Sequence, residues 1–495
     1  TSTDGTSDGT TDGTTDGTSD GTSDGTSDGT SDGTSDGTSD GTTDGTSDGT
    51  GDGTTDGTSD GTTTDGTTTD GTTTDGTTTD GTTTDGTTTD GTTTDGTTTD
   101  GTTTDGTTDG TDGTDGTDGT TTAGTGGGTD GNDGWSAVSA GGDHSCGIWN
   151  KGEIYCWGDN SVSALGTGDS GGIASLPVKT ALNNMATELS AGWGHTCAID
   201  TNAAAWCWGE NTLGQCGNGN YEQVDTPTMV KGMESAGGVV SISAGAGHSC
   251  AATADGTAWC WGLNDDGPLG DGTDLDHSVA EPCIGLTEVI KVAVSAWHSC
   301  ALTKAGDVYC WGDNYDGIAG ETAGSDLAVF EPTLVVGLES IKDIASGNAT
   351  MSCALSTQGA LYCWGTNLDG ELGVGLDVVD DYTSTPQLVP LNELVTGVAL
   401  GEYHGCALTE PGNVYCWGNN YWGQASESLE EMLPTPVKVN LPHAAVAVST
   451  GDFHTCALLS NGSAVCWGIN QSGQLGNDTI KDKLNPVEVV KPGQN

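Results

Sequence analysis

From Trp135 onward, apolar and polar residues follow a β-sheet pattern that recurs about every fifty residues. In one copy, Val289 to Ser295 is rich in β-branched residues and reads as a strand. His298-Ser299-Cys300-Ala301-Leu302 reads as a second strand, Lys304-Ala305-Gly306 as a loop, and Asp307 to Trp311 as the returning partner. His298, Cys300 and Leu302 alternate onto one face, and Ala301, Tyr309 and Trp311 fall on the other. Both faces are mostly apolar, as in a sheet covered on both sides. Proline-led segments (LPVKT, TPTMV, EPCIGL, EPTLVV, TPQLV, TPVKV and NPVEVV) supply a further strand per copy, with the proline at a strand start or edge.

The copies are marked by cysteine pairs ten residues apart, the second always followed by Trp-Gly: Cys146/Cys156, Cys197/Cys207, Cys250/Cys260, Cys300/Cys310, Cys353/Cys363, Cys406/Cys416 and Cys456/Cys466. Successive pairs start 51, 53, 50, 53, 53 and 50 residues apart. Each hairpin loop carries a residue that tolerates the left-handed conformation: Gly152, Asn202, Gly256, Gly306, Gly359, Gly412 or Gly462. A three-residue loop sets the two cysteines directly opposite one another on a non-hydrogen-bonded pair, close enough to bridge. Seven intra-hairpin disulfides are expected, each restricting the unfolded chain by roughly 3 kcal/mol or less.

Seven units of this length predict an all-β, seven-bladed β-propeller of about four strands per blade over residues 135–495. The final NPVEVV strand is expected to pair with sheet begun near Trp135 and so close the ring. Such folds present surfaces more often than single catalytic pockets.

Residues 1–134 are different in kind. They are nearly all Thr, Ser, Asp and Gly, with 30 Asp and no Lys or Arg. So little apolar surface does not offset ordering entropy, and a disordered acidic stalk is expected. A flexible chain of that length spans about 60 to 70 Å root-mean-square, and self-repulsion extends it. Its hydroxyls are candidate sites for O-linked sugars. The remainder carries 41 acids against all 10 basic residues, every one of them Lys. This balance argues against nucleic acid and against anionic membrane surfaces. Sixteen cysteines in a regular pattern suggest an oxidising compartment. No stretch is long and apolar enough to span a membrane. A start at Thr1 is compatible with a removed signal segment or an upstream lipid anchor.

The pattern G-x-x-H-x-C-A-L-x-x-x-G-x-V-x-C-W-G-x-N-x-x-G-Q-L-G resembles the repeat of the regulator of chromosome condensation family, clearest in residues 451–476 and 192–217. The resemblance covers residues 135–495 and implies the seven-bladed propeller; for function it implies little, because one scaffold hosts many roles. The founding member is a guanine-nucleotide exchange factor that binds chromatin, a role opposed here by the acidic charge, the lack of Arg, the paired cysteines and the lack of a long inserted wedge. Propeller-type secreted β-lactamase inhibitor proteins, and cysteine-paired bacterial secreted or lipid-anchored repeat proteins, are nearer analogues. Departures are Met351 in place of a histidine and GQAS at Gly423 to Ser426. Cys216 and Cys283 lie outside the pairs in consecutive units, which suggests an inter-blade disulfide, with two free thiols as the alternative.

His144, His195, His248, His298, His404 and His454 each precede a cysteine by two residues, but no zinc spacing is present. They read as structural, each bonding a neighbouring loop in its blade. The repeated Trp of Trp-Gly reads as packing. The residue before each histidine varies: Trp193, Trp297, Tyr403 and Phe453 against Asp143, Gly247 and Thr350. Tyr315, Tyr421 and Trp422 follow Trp-Gly nearby. Aromatics clustered on one face are usual anchors of an interface, against ordinary loop packing or carbohydrate stacking. No catalytic constellation stands out. Asp265, Asp266 and Asp316 are compatible with weak Ca²⁺ binding and equally with turn chemistry, and the acids of residues 1–134 lack EF-hand spacing. The favoured reading is a monomeric extracellular or cell-surface module, without cofactor, that binds a protein partner. A surface-layer or Ca²⁺-dependent adhesion component and a hydrolase or lyase working in the channel are the alternatives.

Overall fold

The computed structural model divides the chain into two units, Thr1–Asp115 and Gly116–Asn495. It describes residues 134–150, 152–320, 327–347, 351–377 and 381–493, together with backbone strand segments between Thr3 and Asp109. Those segments pair in parallel with like residues in register, such as Asp28 with Asp44 and Thr63 with Thr83. The expectation of disorder over residues 1–134 otherwise lies outside the described residues, as does any bound sugar there.

In the second unit, seven four-stranded antiparallel sheets follow one another, each built from four consecutive strands. Blade 1 comprises Trp135–Ala140, His144–Trp149, Glu153–Asp159 and Ile173–Lys179. The hairpin register is as the sequence predicts: Cys300 faces Cys310, Ala301 faces Tyr309 and Leu302 faces Val308. One loop differs in detail. In blade 2 Ala203, rather than Asn202, takes the left-handed conformation (φ 59°).

All seven intra-hairpin disulfides are present: Cys146–Cys156, Cys197–Cys207, Cys250–Cys260, Cys300–Cys310, Cys353–Cys363, Cys406–Cys416 and Cys456–Cys466. Their Cα separations of 4.0 to 4.1 Å are closer than most cystines, because a non-hydrogen-bonded pair brings the strands nearest. The second cysteine of each pair has a further position that the hairpin pattern does not reveal. Cys156, Cys207, Cys260 and Cys416 also face Val178, Thr228, Glu281 and Val437 of the outer strand, and just beyond each the register shifts. That irregularity depends on the fourth strand, which lies outside the ten-residue spacing.

The cores lie between blades, not within them. Each disulfide shares a core with the Trp-Gly tryptophan of the next blade, as Cys353–Cys363 does with Trp417 and Cys456–Cys466 with Trp157. All seven of these tryptophans are fully buried. Six donate Nε1–H to a loop carbonyl of the preceding blade, from Trp157 to Gln474 (2.8 Å) around to Trp417 and Glu371 (2.7 Å).

Ring closure departs from expectation. The final strand, Lys483–Glu488, pairs with Ala464–Gly468 of its own blade and exchanges nothing with Trp135–Ala140. Blades 7 and 1 instead meet through the joint used elsewhere. The Trp135 amide donates to the Gly462 carbonyl (2.9 Å), as Ala445 does to Gly412 and Val289 to Gly256. Four complete strands per copy leave none to lend.

The histidines also differ from expectation: their partners lie in the next blade. His144 Nε2 meets the Thr196 hydroxyl (2.8 Å), His195 that of Ser249 (2.7 Å), and His248 that of Ser299 (2.8 Å). His298 meets Ser352, His404 meets Thr455, and His454 closes onto Ser145. Because Ser249 donates onward to the Gln215 carbonyl (3.0 Å), the imidazole Nε2–H is the donor. The exception is coherent: Met351 takes the histidine position, and the hydroxyl position in the next blade is Gly405.

Cys216 and Cys283 are buried free thiols, so the bridge between them does not form. Cys216 occupies the place filled by Leu165 and Leu269 in other copies, and Cys283 that of Val335 and Val389. They serve as small apolar residues in two different cores, Cys216 near Trp261 and Cys283 near Trp311. Cys283 Sγ rests 3.4 Å from Cys260 Sγ, a contact with a cysteine already committed to Cys250. Burial pushes the Cys216 and Cys283 thiols well above their ordinary range. Alkylation with mass readout should therefore find two thiols that react only after unfolding; two that label rapidly in the native protein would contradict this packing.

Burial holds the imidazoles neutral, with His195 lowered to about 3 from the ordinary 6.5. The unfolded chain takes up their protons first, so stability is lost as pH falls from 6.5 toward 3. His195→Met, imitating Met351, should remove about 1.4 kcal/mol per pH unit of that loss below pH 6.5, measured by urea unfolding at pH 5 and 7.5. Parallel pH profiles for variant and wild type would count against it.

Candidate functional site

The loops that precede the histidines and the turns that follow Trp-Gly lie at the same end of the ring. Register requires it, since each histidine pairs with the glycine of Trp-Gly, as His144 does with Gly158 and His298 with Gly312. An asparagine holds each turn. Asn470 Oδ1 accepts the Leu475 amide (2.9 Å), while its Nδ2 donates to the Thr479 and Lys481 carbonyls. Asn160, Asn211, Asn264, Asn314, Asn367 and Asn420 accept the equivalent amide. Near the axis the loops press together on glycine. A Cβ added at Gly192 or Gly245 would stand 2.3 or 2.0 Å from a carbonyl oxygen of the next blade. The frame beneath this face is therefore rigidly specified, and only loop-tip side chains are free to differ.

On this face Trp193 and Trp297 are 55% and 47% exposed, and Tyr403 and Phe453 are half-buried with ring centroids 5.9 Å apart. Tyr315 (70%) and Tyr421 (61%) stand at equivalent turn positions of blades 4 and 6, and Trp422 rests edge-on against Tyr421 at 5.0 Å. Between them, at the same position of blade 5, Leu368 is 60% exposed. The sequence does not single it out, because one leucine carries no signal until the copies are aligned. Asp143 is exposed at its loop tip and accepts from Gln474 Nε2 (3.2 Å). Thr350 lies outside the described residues.

The face is also acidic. Its pre-histidine loops contain no Lys or Arg, and the turns after Trp-Gly none before Lys481 and Lys483, which lead into the outer strand of blade 7. Burial, and then neighbouring Asp159, raises the Asp143 carboxyl; burial likewise raises Asp313 and Glu402. A hydrogen bond to Glu402 leads the causes that push Tyr403 up to about 12, with Asp452 and Asp369 adding their charge. Among the described residues no group of three His, Cys, Asp or Glu side chains is arranged to hold a metal, and Asp265, Asp266 and Asp316 do not converge into one.

Residues 223–495 match the RCC1-like domain, and residues 135–163, 186–215 and 151–199 match the regulator of chromosome condensation (RCC1) repeat. The chain is 32% identical over 303 residues to the ultraviolet-B receptor UVR8 of Arabidopsis thaliana, spanning 60% of this chain and 68% of that one. It is 31% identical over 296 residues to the human E3 ubiquitin-protein ligase HERC2, spanning 59% of this chain but only 5% of that one. In structure it is similar to yeast RCC1 (Prp20) bound to Kap60, with a TM-score of 0.62 at 22% identity, covering 73% of this chain and 85% of the other. Human WBSCR16 is similar at TM-score 0.62 and 23% identity, covering 69% and 96%.

Glu371 stands where the other copies carry Gln215, Gln424 and Gln474, and like them its side chain accepts a turn amide, that of Asp369 (2.8 Å). Burial chiefly, with Asp369 and Asp316 adding, raises it to about 7. The unfolded carboxyl ionises first, so stability is lost as pH rises from about 4.5 toward 7, and the full penalty stands above that. Glu371→Gln should thus stabilise the propeller by on the order of 2 kcal/mol at pH 8.5 and progressively less toward pH 5. A gain independent of pH, read from thermal melts, would show the carboxyl is not ionising there.

Proposed function

The chain belongs to the family of RCC1-like propellers, and from that premise we propose that it is a protein-interaction module whose pre-histidine face grips another protein. The observation that carries this reading is one variable loop position in an otherwise uniform ring. The scaffold accepts Gly247 or Asp143 there, so it has no need of Trp193, Trp297, Tyr403 or Phe453. Exposed aromatics of this kind anchor interfaces because they bury a large area at low conformational cost. In relatives with the same scaffold, one is named a receptor and another was solved bound to Kap60, which supports a binding role. We assign no catalytic role and no cofactor to the propeller.

The setting of the module follows from two further features. Seven disulfides suit an oxidising compartment, and an acidic tail of 134 residues suits presentation at a distance, so we place the module outside the cell or at its surface.

Replacing Trp193, Trp297, Tyr403 and Phe453 together with Ala should leave the melting temperature within about 5 °C of wild type, since these side chains lie outside the inter-blade cores. It should abolish capture of the proteins that wild type retains from the organism's surface fraction. Undiminished capture would refute the face as the binding surface.

A further inference from the structure

The face is richest around blades 6, 7, 1 and 2. Blades 6 and 7 place a carboxylate and an aromatic in the same two loop positions, Glu402-Tyr403 and Asp452-Phe453. The two rings lie 5.9 Å apart and are inclined by 32°. Glu402 is hydrogen-bonded to Tyr403, and Asp452 and Asp369 bear on the same phenol. Blade 1 carries Gly142 and Asp143 at these two positions. A Cβ added at Gly142 would come 2.9 Å from Trp193 Cδ1 and 3.3 Å from Asp452 Oδ2. With the Trp193 carbonyl oxygen nearer still at 2.6 Å, glycine at 142 is what lets Trp193 close down beside the Asp452 carboxylate, so that blades 7, 1 and 2 form one continuous patch.

Indole and phenol faces attract cations, and a carboxylate beside them strengthens that attraction. Lysines reach this end of the ring only at Lys481 and Lys483, at the start of the outer strand of blade 7, and none lies in the pre-histidine loops. A second copy of this chain is a poor occupant, because each carries a net charge of −61 and no Arg. Nucleic acid and acidic proteins are repelled for the same reason. We infer that this patch of aromatic rings and carboxylates receives arginine and lysine side chains from a basic, extended segment of another protein. The cation lies against Trp193, Tyr403 and Phe453, with Glu402 and Asp452 opposing its charge. This inference rests on the interaction-face reading and names the chemistry of its partner.

The test uses the full chain and a fluorescent peptide of alternating Arg and Ser, read by anisotropy near physiological salt, with the same peptide carrying Gln for Arg as a control. Tyr403→Ala with Phe453→Ala, and separately Glu402→Gln with Asp452→Asn, should each weaken binding about tenfold. Glu234→Gln with Asp255→Asn, a matched loss of charge at the opposite end of the ring, should leave binding unchanged, and the Gln peptide should not bind. Circular dichroism melts confirm that each variant is folded. Equal binding by wild type and both face variants, or equal weakening by the matched control, would overturn the inference, since diffuse attraction to the acidic chain then accounts for it. The two readings fail separately. If the face variants leave peptide binding intact while the four-alanine chain still loses its captured proteins, the basic segment falls and the face stands. If the four-alanine chain keeps them, the face itself falls.

Discussion

The structure depends on one repeated contact, the burial of each Trp-Gly indole against the disulfide of the preceding blade. Fully burying a side chain of that size contributes on the order of 4–6 kcal/mol, and the contact recurs at all seven interfaces. It explains why both sheet faces are apolar, since each blade offers an indole on one side and a cystine on the other. It also explains the spacing of the motif. The second cysteine and the tryptophan are adjacent in sequence, and neighbouring residues on a strand point to opposite faces. Cys-Trp-Gly thus serves two interfaces at once.

Most of this frame was legible because it is written locally. A hairpin of fixed loop length determines its own register, so the cysteine pairing follows from counting, and seven copies determine the blade number. What was not legible involves partners beyond the hairpin. The outer-strand neighbours of the second cysteines lie between 21 residues on, as from Cys207 to Thr228, and 24, as from Cys363 to Gln387, after turns of unequal length, so no single count reaches them. The hydroxyl that receives each histidine sits one residue after the next histidine, at Thr196, Ser249 or Ser299, and nothing within one copy points to it. Closure is obscure for a related reason: strand exchange is unnecessary where the seventh copy is complete, and completeness shows only when all four strands are paired. Cys216 and Cys283 mislead because cysteine invites chemistry. Setting the copies side by side shows leucine and valine in their places, and so reveals packing.

The candidate face was legible in part. Trp193, Trp297, Tyr403 and Phe453 stand out against a uniform background, and their placement at one end follows from hairpin register alone. Leu368 does not stand out, and neither does the close approach of Trp193 to Gly142 and Asp452, which exists only because three blades meet there. Holding the ring and varying the face fall to separate residues. The histidines, tryptophans, cystines and turn asparagines are buried in the frame, so loop tips can change without disturbing them.

The coupled exchange at Met351 and Gly405 has a mechanical consequence. Six interfaces are tied by an imidazole–hydroxyl bond; the interface between blades 5 and 6 has apolar contact in its place, alongside the Trp417 bond, the Asn419 to Asp369 side-chain bond (2.9 Å) and backbone bonds from Val395 to Gly359 and Gly375 to Pro434. A hydrogen bond resists shear, whereas apolar surfaces slide at little cost. The ring is therefore tied unevenly from joint to joint, and the joint where apolar contact replaces the imidazole bond lies between the blades of Leu368 and Tyr421, both exposed on the face. An occupant seated on those two side chains would bridge the joint at which sliding breaks no imidazole bond.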